Sequence, residues 1–239
     1  MDQKILFIGL LLAAVLIAGC TGDPPSPGKN STPTPPDGAV ILPAPRPESG
    51  ISVEEALRER RSIRIYAEVP LMLADLGQVL WAAQGVTNDR GFRTAPSAGA
   101  LYPLEVYVVA GNVVDLEAGV YHYRPDGHLL VRVGGGDRRA DLQAVAVNQT
   151  SVGSAPATLV IAAVPERTTA KYSERGTRYI AMEAGHAAEN VYLQAAAFNL
   201  GTVVIGAFDD GRVSEILMLP KNTTPLCLMP VGRPVPGND

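Results

Sequence analysis

The sequence is poor in cysteine, histidine and lysine, and each shortage excludes a class of protein. Its three histidines show no ligand spacing, so we predict no metal site. A net charge of −4 with few clustered lysines argues against a nucleic-acid partner. Ser97 lacks the strand–turn–helix setting of a G-x-S-x-G nucleophile, which argues against a serine hydrolase.

The amino-terminal residues predict an export signal. A single lysine in Met1–Lys4 precedes the apolar run Ile5–Ala18, which is too short to span a bilayer and leads through small residues to Cys20. We interpret residues 1–19 as a signal peptide and Cys20 as the lipidated residue of a lipobox; ordinary cleavage beside an unmodified cysteine is the alternative. The protein is then expected outside the cytoplasm, anchored to the cell membrane through lipidated Cys20. Only Cys227 would remain, so no intrachain disulfide is expected and the core must supply stability.

Residues 20–50 predict a tether. They hold nine of the chain's twenty prolines, and such a segment stays extended because it cannot bury apolar area. Asn30 begins a glycosylation pattern, which has meaning only in an organism with that machinery. We therefore assign residues 20–50 to a lipid-anchored, proline-rich tether and residues 51–239 to one folded domain.

Helical and strand patterns mix in this domain without strict strand–helix–strand alternation, which predicts an α+β fold with a central, mainly antiparallel sheet flanked by helices. Ser52 and Glu55 form a capping box that predicts a helix from Val53. The alanine-rich run 178–200 is apolar on most sides and predicts a central, largely buried helix. The predicted helices are 53–61, 71–84, 137–148, 178–200 and 211–218, and the predicted strands are 104–110, two within 119–133, 157–164, 202–208 and 226–232.

Four arginines crowd into "RERRSIR", residues 58–64. If the chain leaves the helix within this stretch, the side chains of Arg60, Ser62 and Arg64 point to one side of the extended segment. Two guanidinium groups beside a hydroxyl form an anion site of the kind that phosphates use. A solvated cluster of surface charges is the alternative, and it is the interpretation that we give to the other two arginines.

Two loops are rich in small residues. In "TAPSAGALYP" (94–103), the small residues from Pro96 to Ala100 directly precede a predicted strand, so a flat ligand could approach the backbone closely. A plain turn is the alternative. The stretch "IGAFDD" repeats the pattern at the end of another predicted strand, where Gly206 and Ala207 could offer bare amides.

Together these stretches resemble one family, the FMN-dependent nitroreductase superfamily, and within it the SagB-type (thiazoline-oxidase-like) dehydrogenase branch. The resemblance extends from about "ISVEEALRERRSIR" to "LMPVGRP", nearly the whole chain after residue 50. No single stretch carries it alone. The ordered set that does is "RRSIR", "TAPSAGALYPLEVYVV", "YIAMEAGHAAENVYLQAAAFNLG", "IGAFDD" and "PVGRP".

The resemblance implies a nitroreductase-like fold with bound FMN, and it assigns binding residues to the phosphate, to the ring plane and to the ring's reactive edge. The implied phosphate contacts are Arg60, Ser62, Arg64 and Arg233. The implied ring contacts are Pro96, Ser97, Ala98 and Gly99. The backbone amides of Gly206 and Ala207 are implied to face the ring's reactive edge. Many nitroreductases have a glutamate at the position of Gly206, so a role that needs a carboxylate beside the flavin is not implied. A flavin carries the electron chemistry itself, while the protein binds and orients it.

The same branch implies a catalytic role for Lys171 and Tyr172. The residues alone favour an exposed loop before the central helix, whereas in SagB-type proteins a Lys-Tyr pair just upstream of this helix is associated with substrate proton handling. Lysine is a flexible donor and tyrosine a weak acid, so the pair suits proton removal beside a flavin that accepts hydride. His186, on the central helix, is expected to be a hydrogen-bonded core residue.

Members of this superfamily are generally homodimers with flavin at the subunit interface. The helix 178–200 is the expected packing element, although a buried monomer core would show the same pattern. We therefore expect an FMN-dependent oxidoreductase acting on an unidentified small molecule or peptide. Because nicotinamide cofactors are not expected outside the cytoplasm, a dehydrogenase or oxidase direction is favoured over a reductase. The alternative is a lipid-anchored flavin-binding protein without turnover.

Overall fold

The computed structural model of the protein describes residues 38–237. The predicted signal peptide 1–19, the predicted lipidation at Cys20 and the glycosylation pattern at Asn30 lie outside the described residues and stay predictions. Within the described part, no helix is both long and apolar enough to cross a membrane.

An antiparallel sheet of seven strands lies at the centre, in the order β1-β4-β3-β2-β5-β7-β6. Its strands are β1 (Val40–Ile41), β2 (Leu104–Ala110), β3 (Gly119–Arg124), β4 (Leu129–Gly135), β5 (Ala157–Ala163), β6 (Gly201–Thr202) and β7 (Thr224–Gly232). The neighbours β2 and β5 are buried along nearly their whole length, which accounts for sequences that are apolar or aromatic at every position except Glu105 and Thr158. Their register pairs Leu104 with Ala163 and Ala110 with Ala157.

Helices cover both faces of the sheet. They are α1 (Val53–Glu59), α2 (Leu73–Gln84), α3 (Arg139–Val145), α4 (Thr150–Ser154), α5 (Glu166–Tyr172), α6 (Arg175–Ala197) and α7 (Asp210–Leu217). The long helix α6 and α2 pack over one face, where Leu76, Val79 and Val191 are buried in the main core. Leu142 and Leu217, from α3 and α7, belong to the second core on the other face. The predicted α+β fold with an antiparallel sheet is confirmed.

The predicted strand 202–208 is wrong beyond its first residue, because β6 ends at Thr202. The ladder stops where the Val204 N–H donates to the Tyr192 hydroxyl at 2.8 Å rather than to a neighbouring strand. Pairing returns only at Ile205, which exchanges two backbone hydrogen bonds of 2.9 Å with Leu228. A side chain from the long helix therefore interrupts a strand that local propensity favours.

The helix α5 lies where the sequence predicts a loop. Its seven residues are too few for a stable isolated helix, so tertiary packing must hold it. Thr168 is fully buried, and a Cβ on Gly176 would lie 2.9 Å from the Thr169 Cα. The close approach at Gly176 packs α5 directly against the first turn of α6.

Part of the predicted tether belongs to the folded domain. The strand β1 extends the sheet by pairing Val40 with Leu130 of β4. Leu42 is only 4% exposed, and Arg46 forms an ion pair of 2.8 Å with the buried Asp75. The prediction that residues 20–50 bury no apolar area is therefore wrong for their carboxyl-terminal part, because one apolar side chain and one sheet edge suffice to dock it.

Candidate functional site

The chain leaves α1 at Arg60, as the arginine-rich stretch predicts. Arg60 has φ −58° and ψ 132°, so the segment after it is extended. Ile63 is 7% exposed, and its N–H donates to the Thr202 carbonyl at 2.9 Å. Ser62 and Arg64 are exposed on either side of the buried Ile63, as predicted, but Arg61 and Ile65 are exposed too, so burial does not alternate along the segment.

The two other arginines make local contacts. Arg58 lies 3.8 Å from Glu55 and 3.0 Å from Glu59, and its side chain is 72% exposed. Arg61 donates from NH1 to the carbonyls of Arg58 and Arg60 at 2.7 and 2.8 Å. Exposed pairs of this kind contribute little to stability. Their interpretation as surface residues is confirmed.

Tyr192 of α6 organises the groups beside Arg60. Its ring centroid lies 5.1 Å from the Arg60 guanidinium, and its hydroxyl lies 3.1 Å from Ser62 Oγ. Because the Val204 N–H already donates to this hydroxyl, the phenol hydrogen can serve Ser62 and leave the Ser62 hydrogen for a ligand. Glu189, one turn earlier on α6, lies 3.9 Å from Arg60 Nε.

Arg233 has different partners. Its NH2 donates to Asp75 Oδ2 at 2.9 Å, and its NH1 donates to the carbonyls of Phe198 and Asn199 at 2.8 and 3.3 Å. A cation is favourable there because these carbonyls end α6. Arg46 occupies the other Asp75 oxygen. A phosphate contact by Arg233 stays a prediction: these partners take three of its five N–H donors, and the donors left for a phosphate are the N–H of Nε and one of NH2.

The loop before β2 is held by two polar contacts. The Ala98 N–H donates to Glu183 Oε1 at 2.8 Å, and Glu183 is 4% exposed. Ser97 Oγ accepts the Tyr102 N–H at 2.9 Å. Pro96, by contrast, is exposed. The side chain of a buried glutamate on α6 and a serine hydroxyl therefore shape the segment that was predicted to line a ring.

This loop meets the predicted catalytic pair at Gly99. Gly99 has φ 64° and ψ 17°, a left-handed conformation that favours glycine. A Cβ here would lie 2.8 Å from Tyr172 Oη and 3.0 Å from Lys171 Nζ, so both side-chain tips lie against bare backbone. Lys171 and Tyr172 form the end of α5 and not a loop, but Lys171 is exposed, as the residues alone favour.

The helix α6 separates two grooves: groove A includes part of the predicted ring loop, and groove B includes Glu189 and Tyr192, the two α6 residues beside Arg60. Groove A is lined by Pro96, Ser97, Ala98, Tyr179, Met182, Glu183 and His186. Groove B is lined by Ala184, Gly185, Ala188, Glu189, Tyr192, Val204, Leu226 and Cys227. The two grooves share no residue. Within a single chain, the predicted ring loop and the surroundings of Arg60 therefore lie on different sides of one helix.

Between the grooves, α6 exposes a ridge. It includes Met182, 53% exposed, together with Gly185 and His186. A Cβ on Gly185 would meet nothing within 4 Å, so the ridge is open at its middle. The prediction that His186 is a hydrogen-bonded core residue is wrong, because its position on the outer face of α6 places it in groove A instead.

Two polar residues of α6, Glu183 and Tyr192, hold site segments although the sequence suggests no role for them. The alanine-rich pattern leads one to treat the whole helix as packing surface. The signal that could identify them is their polarity itself, because a polar side chain buried in an apolar helix requires a partner.

The residues of this site lie within a segment that matches a known protein family. The Nitroreductase family matches residues 57–233, which include both grooves, α5 and the arginine-rich stretch. The chain belongs to the Nitroreductase family. The predicted superfamily and its fold are thereby confirmed, and the protein is an oxidoreductase.

Known proteins of the family resemble it over most of the domain. A nitroreductase homologue of Methanocaldococcus jannaschii, MJ1384, is 49% identical over 185 residues, covering 77% of this chain and 92% of that protein. The crystal structure of a nitroreductase homologue from Ralstonia eutropha has a TM-score of 0.73 at 33% identity, covering 82% of this chain and 90% of that one. The microcin B17-processing protein McbC of Escherichia coli is 30% identical over 136 residues, which are 55% of this chain and 50% of McbC.

In this nitroreductase-family protein, Gly206 and Ala207 present bare backbone after the Ile205–Leu228 bridge. Both residues are exposed, and within residues 38–237 their amides donate to no protein group. A Cβ on Gly206 would meet nothing within 4 Å, and the backbone there is not left-handed. Neither space nor conformation requires glycine at this position. The lack of a carboxylate there is therefore a difference in chemistry and not a packing necessity.

Proposed function

We propose that this protein is an FMN-dependent oxidoreductase of the SagB-type branch, which acts on a small molecule or peptide as a dehydrogenase or oxidase. The observation that carries the proposal is the meeting of Lys171 and Tyr172 with the loop at Gly99. Two segments that the branch uses for different tasks, ring contact and proton handling, are neighbours here. The similarity to McbC, a protein that processes microcin B17, supports a peptide among the candidate substrates.

The residues present fit FMN. Arg60 is partly exposed and reaches Glu189 only at 3.9 Å, so its guanidinium keeps donors for a phosphate, and Ser62 lies beside it. Groove B includes the small residues Ala184, Gly185 and Ala188, which leave space for a flat ring. The amides of Gly206 and Ala207 can donate to the edge of that ring. These groups would hold the cofactor.

FMN, when bound, supplies the two-electron chemistry. The protein's own residues supply orientation and protons. Lys171 Nζ and Tyr172 Oη are the groups that hold or move the proton which a substrate loses or gains during the reaction. Gly99 brings the backbone close to both atoms because it carries no side chain. Glu183 keeps the loop in place by accepting the Ala98 N–H.

A homodimer would complete the site. Within one chain, groove A and groove B are separated by the ridge of α6 at Met182, Gly185 and His186. If the ridges of two chains pack against each other, groove A of one chain faces groove B of the other. The open space at Gly185 permits close approach of the two helices. The partner of this protein is then a second copy of the chain, with the ligand bound between them.

The proposal places the enzyme outside the membrane, tethered through lipidated Cys20. We expect Cys20→Ser to release the protein from membranes, because the lipid would be its only anchor. The measurement is the distribution of the protein between membrane pellet and supernatant after ultracentrifugation. Membrane association that persists in the variant, and resists high salt, contradicts the lipobox.

A flavin-binding protein without turnover is the second candidate. The observation that favours it is the absence of a carboxylate at Gly206, together with an open space that could accommodate one. The contact of Lys171 and Tyr172 with Gly99 favours the enzyme, because a protein that only stores flavin does not need proton donors at the loop.

The test begins with an absorbance spectrum of the purified full chain. We expect bound FMN, identified after denaturation, and a sedimentation mass of two chains. A protein with no flavin and no uptake of added FMN contradicts both candidates. If flavin is bound, continuous photoreduction with a sacrificial electron donor in the presence of a water-soluble quinone distinguishes them. The enzyme reoxidises repeatedly and reduces the quinone, whereas a storage protein shows no rate that depends on Lys171.

A further inference from the structure

Arg167, four residues before Lys171 on α5, ties this helix to the loop before β2. Its NH1 donates to the Tyr102 carbonyl at 2.9 Å, and its NH2 pairs with Glu105 Oε1 at 2.5 Å. Residues four apart lie on the same side of a helix. Arg167 therefore attaches the side of α5 that carries Lys171 to Tyr102 and Glu105.

Glu105 is in turn fixed by the sheet. Its Oε2 lies 2.6 Å from His122 Nε2, and the His122 ring stacks on Tyr107 with centroids 4.5 Å apart. These three residues belong to the paired strands β2 and β3. Burial raises the pKa of Glu105, but the hydrogen bond from His122 and the charge of Arg167 outweigh it, so this pKa lies below its usual value. Glu105 thus stays a carboxylate at neutral pH.

Side chains of α5 contact the loop between Gly99 and Tyr102 at both of its ends. Lys171 contacts it at Gly99, and Arg167 contacts it at Tyr102. Ala100 and Tyr102 have φ 53° and 46°, a conformation that the surroundings must impose on residues with a side chain. A continuous set of contacts therefore connects the centre of the sheet to the proton-handling pair.

We propose that Arg167, fixed by Glu105, is a positioning residue that sets the place of Lys171 and Tyr172 over Gly99. The proposal rests on the proposed function, since the placement of the pair matters only if the pair handles protons. An ordinary surface ion pair is the competing interpretation, because Arg167 is 42% exposed. Two features argue against it: Glu105 is only 16% exposed, and Arg167 also binds a carbonyl of the loop.

The experiment compares Arg167→Ala, Arg167→Lys and Glu105→Gln in the full chain. Arg132→Ala is the matched control, because Arg132 also pairs with a carboxylate, Glu117 at 2.7 Å, and also donates to a carbonyl at 3.2 Å. One measurement is hydrogen exchange in peptides from residues 97–102, without flavin. The other is steady-state reduction of a water-soluble quinone under continuous illumination with a sacrificial electron donor, which reduces the flavin again after each turnover, together with FMN content.

We expect Arg167→Ala to speed exchange in residues 97–102 about tenfold and to lower kcat about tenfold, with KM and FMN content unchanged. Arg167→Lys should recover part of kcat, because an ammonium group can still donate to the Tyr102 carbonyl. For Glu105→Gln, we expect an exchange rate and a kcat between those of the wild type and Arg167→Ala. For Arg132→Ala, we expect both quantities to equal those of the wild type.

Unchanged exchange and unchanged kcat in both Arg167→Ala and Glu105→Gln would overturn the proposal, as would equal effects in Arg132→Ala. If Arg167→Ala does not fold, Glu105→Gln decides, because it keeps the size of the side chain. A wild-type protein that takes up no flavin contradicts the proposed function instead. The exchange measurement still reports whether Arg167 holds the loop in that case.

Discussion

Replacing Lys171 by alanine is expected to lower quinone turnover about 100-fold or more, the range for loss of a positioned proton donor or acceptor. Bound FMN should stay at the wild-type level, because the Lys171 side chain contacts the loop at Gly99 and none of the groups around Arg60. Alanine is a good helix former, so α5 should persist. The measurement is single-turnover oxidation of the photoreduced protein, with FMN content determined on the same sample.

Lys221→Ala is the matched control, since it removes an exposed lysine from the turn before β7. Tyr172→Phe separates the hydroxyl from the ring, because phenylalanine keeps the edge contact with Tyr179 at 5.2 Å. Loss of flavin in Lys171→Ala would mean that the pair is structural. Full turnover in both Lys171→Ala and Tyr172→Phe would remove the proton-handling role.

Gly99 offers a second way to displace the same pair. In Gly99→Ala, the added Cβ would lie 2.8 Å from Tyr172 Oη, so the Tyr172 side chain must move. The φ of 64° adds backbone strain of about 1–2 kcal/mol. Gly136→Ala is its control, because Gly136 has φ 79° and nothing within 4 Å of an added Cβ. Both variants should lose similar stability, but only Gly99→Ala should lose turnover. Equal turnover in the two variants contradicts a role for the contact.

Replacing Arg60 or Arg64 by alanine is expected to weaken FMN binding by about 1.5–3 kcal/mol, the range for hydrogen bonds to charged groups. This corresponds to a Kd raised about 10- to 150-fold. Arg60 should show the larger effect, because Tyr192 and Ser62 already hold its surroundings in place. The measurement is quenching of FMN fluorescence during titration into flavin-free protein.

Arg58→Ala is the control, because it removes the same charge from the same stretch while its ion pairs are with Glu55 and Glu59. A long-range electrostatic effect would weaken binding in all three variants and disappear at high salt. Unchanged affinity in both Arg60→Ala and Arg64→Ala would falsify the phosphate assignment.

The fold could be predicted where burial or capping produces a recognisable pattern in neighbouring residues of the sequence. The strands β2 and β5 lie between covering helices, so all their residues except Glu105 and Thr158 are apolar or aromatic, and their predicted positions are correct to within one residue. The helix α1 could be predicted from its cap, and the Glu55 N–H does donate to Ser52 Oγ at 3.1 Å. Local sequence failed at 202–208, because the hydroxyl of Tyr192 takes the hydrogen bond that a strand would need.

The site could be predicted in part for the same reason. The extended segment predicted from sequence accounts for the exposure of Ser62 and Arg64 beside the buried Ile63, although Arg61 and Ile65 are exposed as well. The partners of Arg233 could not be predicted, because Asp75 and the end of α6 are distant in the chain. The contacts of Glu183 and Arg167 could not be predicted either, since each is made with a loop from another part of the sequence.

The sequence by itself determined the family, the buried strands β2 and β5 and the exposure of Ser62 and Arg64, because apolar runs and ordered motifs carry that information. Only the tertiary structure decided that α5 exists, that Lys171 and Tyr172 reach Gly99, and that the two grooves lie on opposite sides of α6. The first two of these features depend on close approaches at Gly176 and Gly99. Such approaches form only when elements that are remote in sequence pack together.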